Sequence, residues 1–446
     1  MPAFDLSRRE FMKLAAALPL ARPIQSPDPW DEMKAILGRV REPVFPARDF
    51  DAARYPSIND AIEACSQAGG GRVVVPAGSQ TIPPIRLRSR VNLHLPEGAV
   101  LRFTTDPKAY LPVVFTRWEG TELMNYSPFV YAFDQENIAI TGSGTLDGQA
   151  GAAQWWNWTR QAGAARTRLM SMGASGVPVA ERVFGEGSFL RPNFIQPYRC
   201  RNVFIDGVTI VNSPMWEIHP VLCSNVIVRG VSIVSHGPNN DGCNPESCRD
   251  VLIEKCSFDT GDDCIALKSG RNNDGRRVGA PVENVIVRDC VMKDGHGGVT
   301  IGSEISGGAR NIFAERCRMD SPQLDRALRI KTNSVRGGVI ERVFLRDITI
   351  GQVREAVVAI DFNYEEGDAG QYPPVVRDID VRNTTSQKSN YGLLLRGYPH
   401  SPITNVRLSD CRFDGVARAD VLDNVKDVAL ANVVINGKVF NETITR

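Results

Sequence analysis

From Asn137 towards the C-terminus one phrase recurs: a polar residue, most often Asn or Asp, followed by a short apolar strand and then a second short strand. It reads Asn137-Ile138-Ala139-Ile140, Asn202-Val203-Phe204-Ile205, Asn225-Val226-Ile227-Val228, Asp250-Val251-Leu252-Ile253 and Asn284-Val285-Ile286-Val287. It continues through Asn311, Arg342, Asp378, Asn405 and Asp427. From Asn202 onward the steps lie between 22 and 36 residues. Short strands at such a period, with loops of varying length, predict a solenoid in which each coil buries its apolar face only against its neighbours. The expected fold is all-β, a single-stranded parallel β-helix.

Upstream, Ser57 to Ala68 carries apolar residues at Ile58, Ala61, Ile62 and Cys65, which is helix spacing behind a Ser cap and ahead of Gly69-Gly70-Gly71. This helix is expected to cap the solenoid. Short strands follow at 73–75, 85–87 and 91–95, and no long helix is expected after them. A Pro-rich lead comes before, so the solenoid domain is placed at 45–446.

The first residues have a different character. Ser7-Arg8-Arg9-Glu10-Phe11-Met12-Lys13 and the apolar run Leu14 to Leu20 resemble a bacterial twin-arginine export signal. An amphipathic N-terminal helix with a chance Arg pair is the plainer alternative. A signal over 1–25 implies work in the periplasm or outside the cell. Ala21 is a candidate cleavage point, although Pro19-Leu20-Ala21 lacks a small residue two places earlier.

Charge is balanced, 52 Lys+Arg against 51 Asp+Glu, which argues against nucleic acid as a partner of the whole surface. No apolar run reaches membrane-spanning length. A monomer is expected. Seven of the ten cysteines follow the repeat: Cys200, Cys223 and Cys248 stand two residues before a phrase, and Cys256, Cys290, Cys317 and Cys411 six after its start. They read as small apolar residues stacked in equivalent slots, with disulfides between rungs left open.

Candidate chemistry concentrates between Asn239 and Ser269, which hold Asp241 and the adjacent Asp262 and Asp263. Gathered carboxylates can keep one proton among them, the division of labour that glycoside hydrolysis needs. Gly261-Asp262-Asp263 reads equally well as a polar turn. Stacking adds to the picture. Asp262 and His296 each lie 12 residues after a phrase start, so they share one angular position on neighbouring coils. In Leu328-Arg329-Ile330-Lys331, strand alternation sends Leu328 and Ile330 inward and leaves Arg329 and Lys331 side by side outside. Two adjacent cations imply an anionic ligand, or else pairing with the carboxylates. One His and no calcium-type loop make a metal site unattractive, and neither metal nor cofactor is expected.

These residues together resemble glycoside hydrolase family 28, the polygalacturonases. Four motifs stand in the family's order: Asn239-Asn240-Asp241, Gly261-Asp262-Asp263, Gly295-His296-Gly297 and Arg329-Ile330-Lys331. The resemblance implies a right-handed parallel β-helix that hydrolyses α-linked galacturonate with inversion, on pectic polysaccharide or oligogalacturonide. It makes Asp262 the general acid, with a proton affinity raised by its neighbours. It makes Asp241 and Asp263 the pair that activates water, His296 the support of the acid, and Arg329 and Lys331 the carboxylate grip. Inversion implies acid and base carboxyls about 6.5–9.5 Å apart. Asn240, where Thr is usual, puts the substrate fit in doubt. Two insertions, 150–197 with Trp155, Trp156 and Trp158, and 271–281, could wall off one end of a cleft and stack sugars. That favours an exo-acting enzyme, and core packing is the plainer role for the Trp cluster. A rhamnogalacturonan galacturonidase, a calcium-dependent pectate lyase and a non-catalytic carbohydrate-binding β-helix are the alternatives.

Overall fold

The computed structural model describes residues 28–446, so the twin-arginine-like stretch and the signal expected over 1–25 lie outside the described residues. The polar residue that opens each phrase has a local cause. All ten, from Asn137 to Asp427, hold a left-handed φ between 53° and 59°. Asn and Asp enter that region more readily than other side chains, because their short polar groups bond locally. They also bond to one another. The Asn202 amide donates to the Asn137 Oδ1, Asn225 to Asn202, and Asn311 to Asn284, at 2.8–3.0 Å. Each phrase thus starts with a kink that sets the strand after it and tethers its coil to the next.

The strands then fall into parallel register. Val203 pairs with Val226, Val226 with Val251, Val251 with Val285 and Val285 with Ile312, and the column runs on through Val343, Ile379 and Val406 to Val428. The chain winds as a parallel β-helix with three faces. The second face carries strands such as Ser232–Ser235, Ser257–Thr260 and Val291–Met292. The third face carries the chemistry: Ile265–Leu267, Val299–Gly302, Arg326–Lys331, Ala356–Asp361, Tyr391–Arg396 and Val421–Asp423, in that spatial order. Inward residues of all three faces form one continuous core. All ten cysteines are buried and unpaired. The disulfides left open by the sequence do not form, and the Cys200 and Cys223 amides each donate to the next thiol sulfur along the ladder, at 3.3 and 3.4 Å.

Both ends are covered. Helix α2 (Ile58–Gln67) starts at the Ser57 cap and buries Ile58, Ala61, Ile62 and Cys65, as its spacing predicted. At the other end Lys438–Ile444 returns antiparallel along Val425–Ile435, so the last strand leaves no long parallel edge for another chain to extend.

Three helices were not legible in advance. Helix α1 (Pro29–Arg39), inside the stretch taken as a Pro-rich lead, is capped by the Asp28 side chain. It lies along the outside of the first face, with Trp30, Met33 and Ile36 on Phe204, Ile227, Leu252, Ile286, Phe313 and Phe344. This explains why Val251-Leu252-Ile253 is apolar at every position: Val251 and Ile253 enter the core and Leu252 meets the helix. Helix α3 (Gly163–Ala174) has no side-chain N-cap and begins with Gly, so propensity alone could not announce it. It is held by its context, burying Leu169 against Trp118, Leu123, Phe184 and Leu190. Helix α4 (Asn272–Val278) lies in the second insertion, and its Asn273 amide donates to the Ala174 carbonyl at the end of α3.

Candidate active site

The third face brings the marked side chains together. Asp262 and His296, on neighbouring coils, meet through Oδ1 and Nδ1 at 3.0 Å, and the His296 amide donates to the Asp262 carbonyl. Asp262 and Asp263 sit in an irregular bend after Thr260, which releases them from strict alternation. Asp263 is fully buried on the outer face beneath Arg329, Lys331 and Thr300, while Asp262 stays at the cleft surface. Glycine at 297 has a steric reason: a Cβ there would stand 2.2 Å from Thr300 Oγ1 and 3.1 Å from Asp263 Oδ1.

Arg329 and Lys331 project outward from a strand whose Leu328 and Ile330 lie in the core. They do not stand free. Arg329 Nη1 donates to Asp263 Oδ1 at 3.1 Å and Lys331 Nζ to Asp263 Oδ2 at 2.7 Å, with Thr300 Oγ1 also on Oδ1 at 2.9 Å. The pairing alternative is thus realised on one side of the two cations.

Asp241 is buried one coil away, its Oδ2 accepting from the Asn244 amide at 2.9 Å and lying 3.6 Å from Lys268 Nζ. One oxygen from each of Asp241, Asp262 and Asp263 falls within 4.8 Å of the others. These nearest oxygens lie closer than the roughly 6.5–9.5 Å expected between acid and base carboxyls, because Asp262 and Asp263 share one bend and Asp241 lies on the coil beside it. Two oxygens that close can share a single water. A bound cation in this cluster would have to compete with the two side-chain charges already on Asp263.

The electrostatics separate the three. Burial, followed by the neighbouring Asp262 charge, pushes the Asp241 carboxyl up to about 8. Burial works in the same upward sense on Asp263, but the Lys331 and Arg329 charges outweigh it and hold that carboxyl well below the usual range. The hydrogen bond that His296 donates to Asp262 raises it above the ordinary imidazole value, with burial opposing.

Asn240 takes no place on the cleft surface. It is buried; its Oδ1 accepts from Ser235 Oγ and the Gly237 amide, each at 2.7 Å, and its Nδ2 donates to the Ser213 and Met215 carbonyls. The replacement of Thr here braces the loop beneath Asp241. The Trp cluster is also structural. Trp155 is buried against Tyr110 and Phe129, Trp156 Nε1 bonds the Ser213 carbonyl, and Trp158 packs on Tyr126 and Phe189.

The surrounding cleft, about 190 Å³, is lined by several residues that the sequence reading did not mark: Trp216, Lys268, Arg271, Glu304, Tyr364 and Glu365. Lys268 had a signal. It continues Ile265–Leu267 at the register position of Gly302 and Lys331, so period-two alternation puts it outside. Its Nζ lies 3.0 Å from Glu304 Oε2 and 4.4 Å from the centre of the Trp216 ring. The others arrive from loops whose course no repeat dictates.

Both insertions contribute to the lining of this cleft. A hairpin, Val114–Trp118 paired with Thr121–Asn125, brings Glu119 to its tip. Glu119 meets Arg166 of α3 at 2.8 Å and Arg271, just before α4, at 3.5 Å. These side chains form one salt-bridged stretch of the cleft lining.

Clustered carboxylates that share a proton and can hold a water, beside an imidazole in an open groove on a parallel β-helix, define a glycosidase. A family model for glycosyl hydrolases family 28 matches residues 186–433, more than half of the chain, and the chain belongs to that family. Among solved structures it is similar to a hyperthermoactive exopolygalacturonase from Thermotoga maritima, at 43% identity and a TM-score of 0.91, over 93% of this chain and 98% of that one. Among curated proteins it is 28% identical to a probable polygalacturonase of Vitis vinifera, over 81% of this chain and 71% of that one. It is 26% identical to an endo-polygalacturonase of Pectobacterium carotovorum, over 79% and 83% respectively.

Proposed function

We propose that this protein is an exo-acting polygalacturonase, releasing galacturonate from the end of a pectic chain by inverting hydrolysis. Relatives of both exo and endo action are similar to it, so the choice rests on one observation: the hairpin and both insertions bring Glu119, Arg166 and Arg271 together as a salt-bridged group in the lining that also holds the carboxylates, which we read as a wall across one end of the cleft.

The roles follow from position and proton affinity. The Asp241–Asp262 pair holds one proton through acid and neutral pH, because Asp241 is raised to about 8 by burial and by Asp262. In the working form that proton is on Asp262, at the cleft surface, and passes to the glycosidic oxygen as the bond breaks. Asp241 takes a proton from the water whose oxygen bonds to C1. The pair therefore ends the turnover with one proton, as it began. His296, bonded to Asp262, orients it. Asp263 stays ionised throughout. It holds Arg329 and Lys331 in place, and their remaining N–H donors face the carboxylate of the leaving sugar. The leaving side is the open one, so the sugar trapped against the wall is the non-reducing terminus.

The test is product analysis on polygalacturonate. Monomer alone from the first minutes, with a saturated ring, is expected. Asp262→Asn should lower kcat by roughly 10²–10⁴-fold, the share a positioned acid supplies. Proton NMR of the fresh product should show the anomer opposite to that of the substrate. Mixed oligomers at early times would overturn the exo assignment, and a retained anomer would overturn the water-activating role of Asp241.

A further inference from the structure

The wall is more than an obstruction. Glu119 sits at the hairpin tip with a left-handed φ of 42°, and Gly120 follows at 77°. Gly120 is pinned: its carbonyl accepts from the Arg271 amide at 3.0 Å, and a Cβ on it would stand 2.8 Å from that nitrogen and 2.9 Å from Glu304 Cγ. No other residue fits there without moving the second insertion. The tip is thus fastened from behind, and the Glu119 carboxylate is presented to the cleft.

Arg166 comes from the opposite direction, on α3. It uses only Nε on Glu119 Oε2, the oxygen that Arg271 Nη1 also approaches. Among the described residues, Glu119 Oε1 and both Nη groups of Arg166 have no hydrogen-bond partner. The Glu119 side chain is 12% exposed and that of Arg166 is 41% exposed, and both line the cleft. An acceptor oxygen and a donor fork side by side are what a sugar hydroxyl needs, since it donates one bond and accepts another. This end is also balanced in charge, with Lys268, Arg166 and Arg271 against Glu119, Glu304 and Glu365. A neutral hydroxyl suits such a place better than a further carboxylate would.

We propose that the Glu119–Arg166 pair recognises the free 4-hydroxyl of the terminal sugar, so that the enzyme selects chain ends by reading an end group as well as by blocking the path. The inference rests on the exo reading above. A chain interior carries a glycosidic oxygen at that position and has no proton to give Glu119.

The experiment compares two galacturonate trimers: one saturated, and one whose terminal ring is 4,5-unsaturated and so lacks the 4-hydroxyl. The full-length enzyme is expected to prefer the saturated trimer in kcat/KM by roughly tenfold or more, the size of one lost hydrogen bond to a charged group. In Glu119→Gln and Arg166→Lys, chosen to keep shape and fold, and in the corresponding Ala variants, that preference should shrink towards one, mainly through the saturated substrate. Equal preference in the wild type, or a wild-type preference preserved in all four variants, would overturn the proposal. A parallel fall on both trimers would also overturn it, since that reports a structural role. Early mixed oligomers from polygalacturonate would instead remove the exo reading itself, so the two failures are told apart.

Discussion

Asp241 and Asp263 lie on neighbouring coils of one wall, yet their surroundings oppose each other, and stability should register this. Folded Asp241 binds its proton up to about 8, against an ordinary 3.8. Between those values folding takes up a proton, so this residue makes the protein less stable as pH rises from about 4 towards 8. Asp241→Asn should therefore be the more stable protein at pH 7, on the order of 3 kcal/mol, with the gain vanishing near pH 4. Asp263 has the opposite sign. Its affinity is depressed by Lys331 and Arg329, so its contribution is present above the ordinary carboxylate range and lost as pH falls below it. Asp263→Asn leaves two cations facing one another and should cost about 3–5 kcal/mol at neutral pH, the gap closing below pH 4. Urea titrations from pH 2 to 8 read both slopes, and parallel slopes would refute the charge assignment. Activity should decline above pH 8, as the last proton leaves the Asp241–Asp262 pair.

Helix α1 shows what a single element adds. Trp30 is 2% exposed, packed edge-on against the stacked rings of Phe313 and Phe344, with Arg346 3.9 Å over its ring. Trp30→Ala should destabilise by about 3–5 kcal/mol and leave kcat unaltered, because the helix lies on the face without the cleft; thermal melts and initial rates check the two halves separately. The same element shows where sequence reading succeeds and where it stops. The coils were legible because each repeats one kinked polar residue, usually Asn or Asp, and one alternating strand, and the alignment of Asp262 with His296 followed from that phase alone. Arg329 and Lys331 were legible from period two. The hairpin tip at Glu119 and helix α3 were not, since neither repeats and α3 takes its stability from Leu169 among side chains distant in sequence. The proton affinities also escaped: burial raises Asp241 despite Lys268, while Lys331 and Arg329 lower Asp263, and both depend on distances that only the fold sets.

Across the whole molecule the fold separates support from chemistry. The first face carries α1, and the third carries the site. Coils stack at about 4.8 Å, so residues far apart in sequence, such as Asp263 and Lys331, become neighbours two coils apart at no cost in loop closure beyond the winding itself. Insertions at one end are free to lengthen without disturbing this register, which is how hairpin, α3 and α4 come to close a cleft that the solenoid alone would leave open.

A solenoid whose coils touch only their neighbours should come apart like a frayed rope, one turn at a time from a weak end. The outward residue in the middle of each phrase bears on this. It is apolar from Ala139 through Phe344, where α1 lies over it, and becomes Asp380 and then Arg407 beyond the reach of the helix. Contacts such as Arg39 with Asp250 and Arg342 with Glu32 bind distant turns to one splint. The splinted turns must open together, and the last three can peel on their own. Amide hydrogen exchange should therefore be fastest from residue 375 onward and uniformly slow from 201 to 346. Removing 28–46 should turn that step into a gradient, whereas an unchanged step would mean that the turns hold together without their splint.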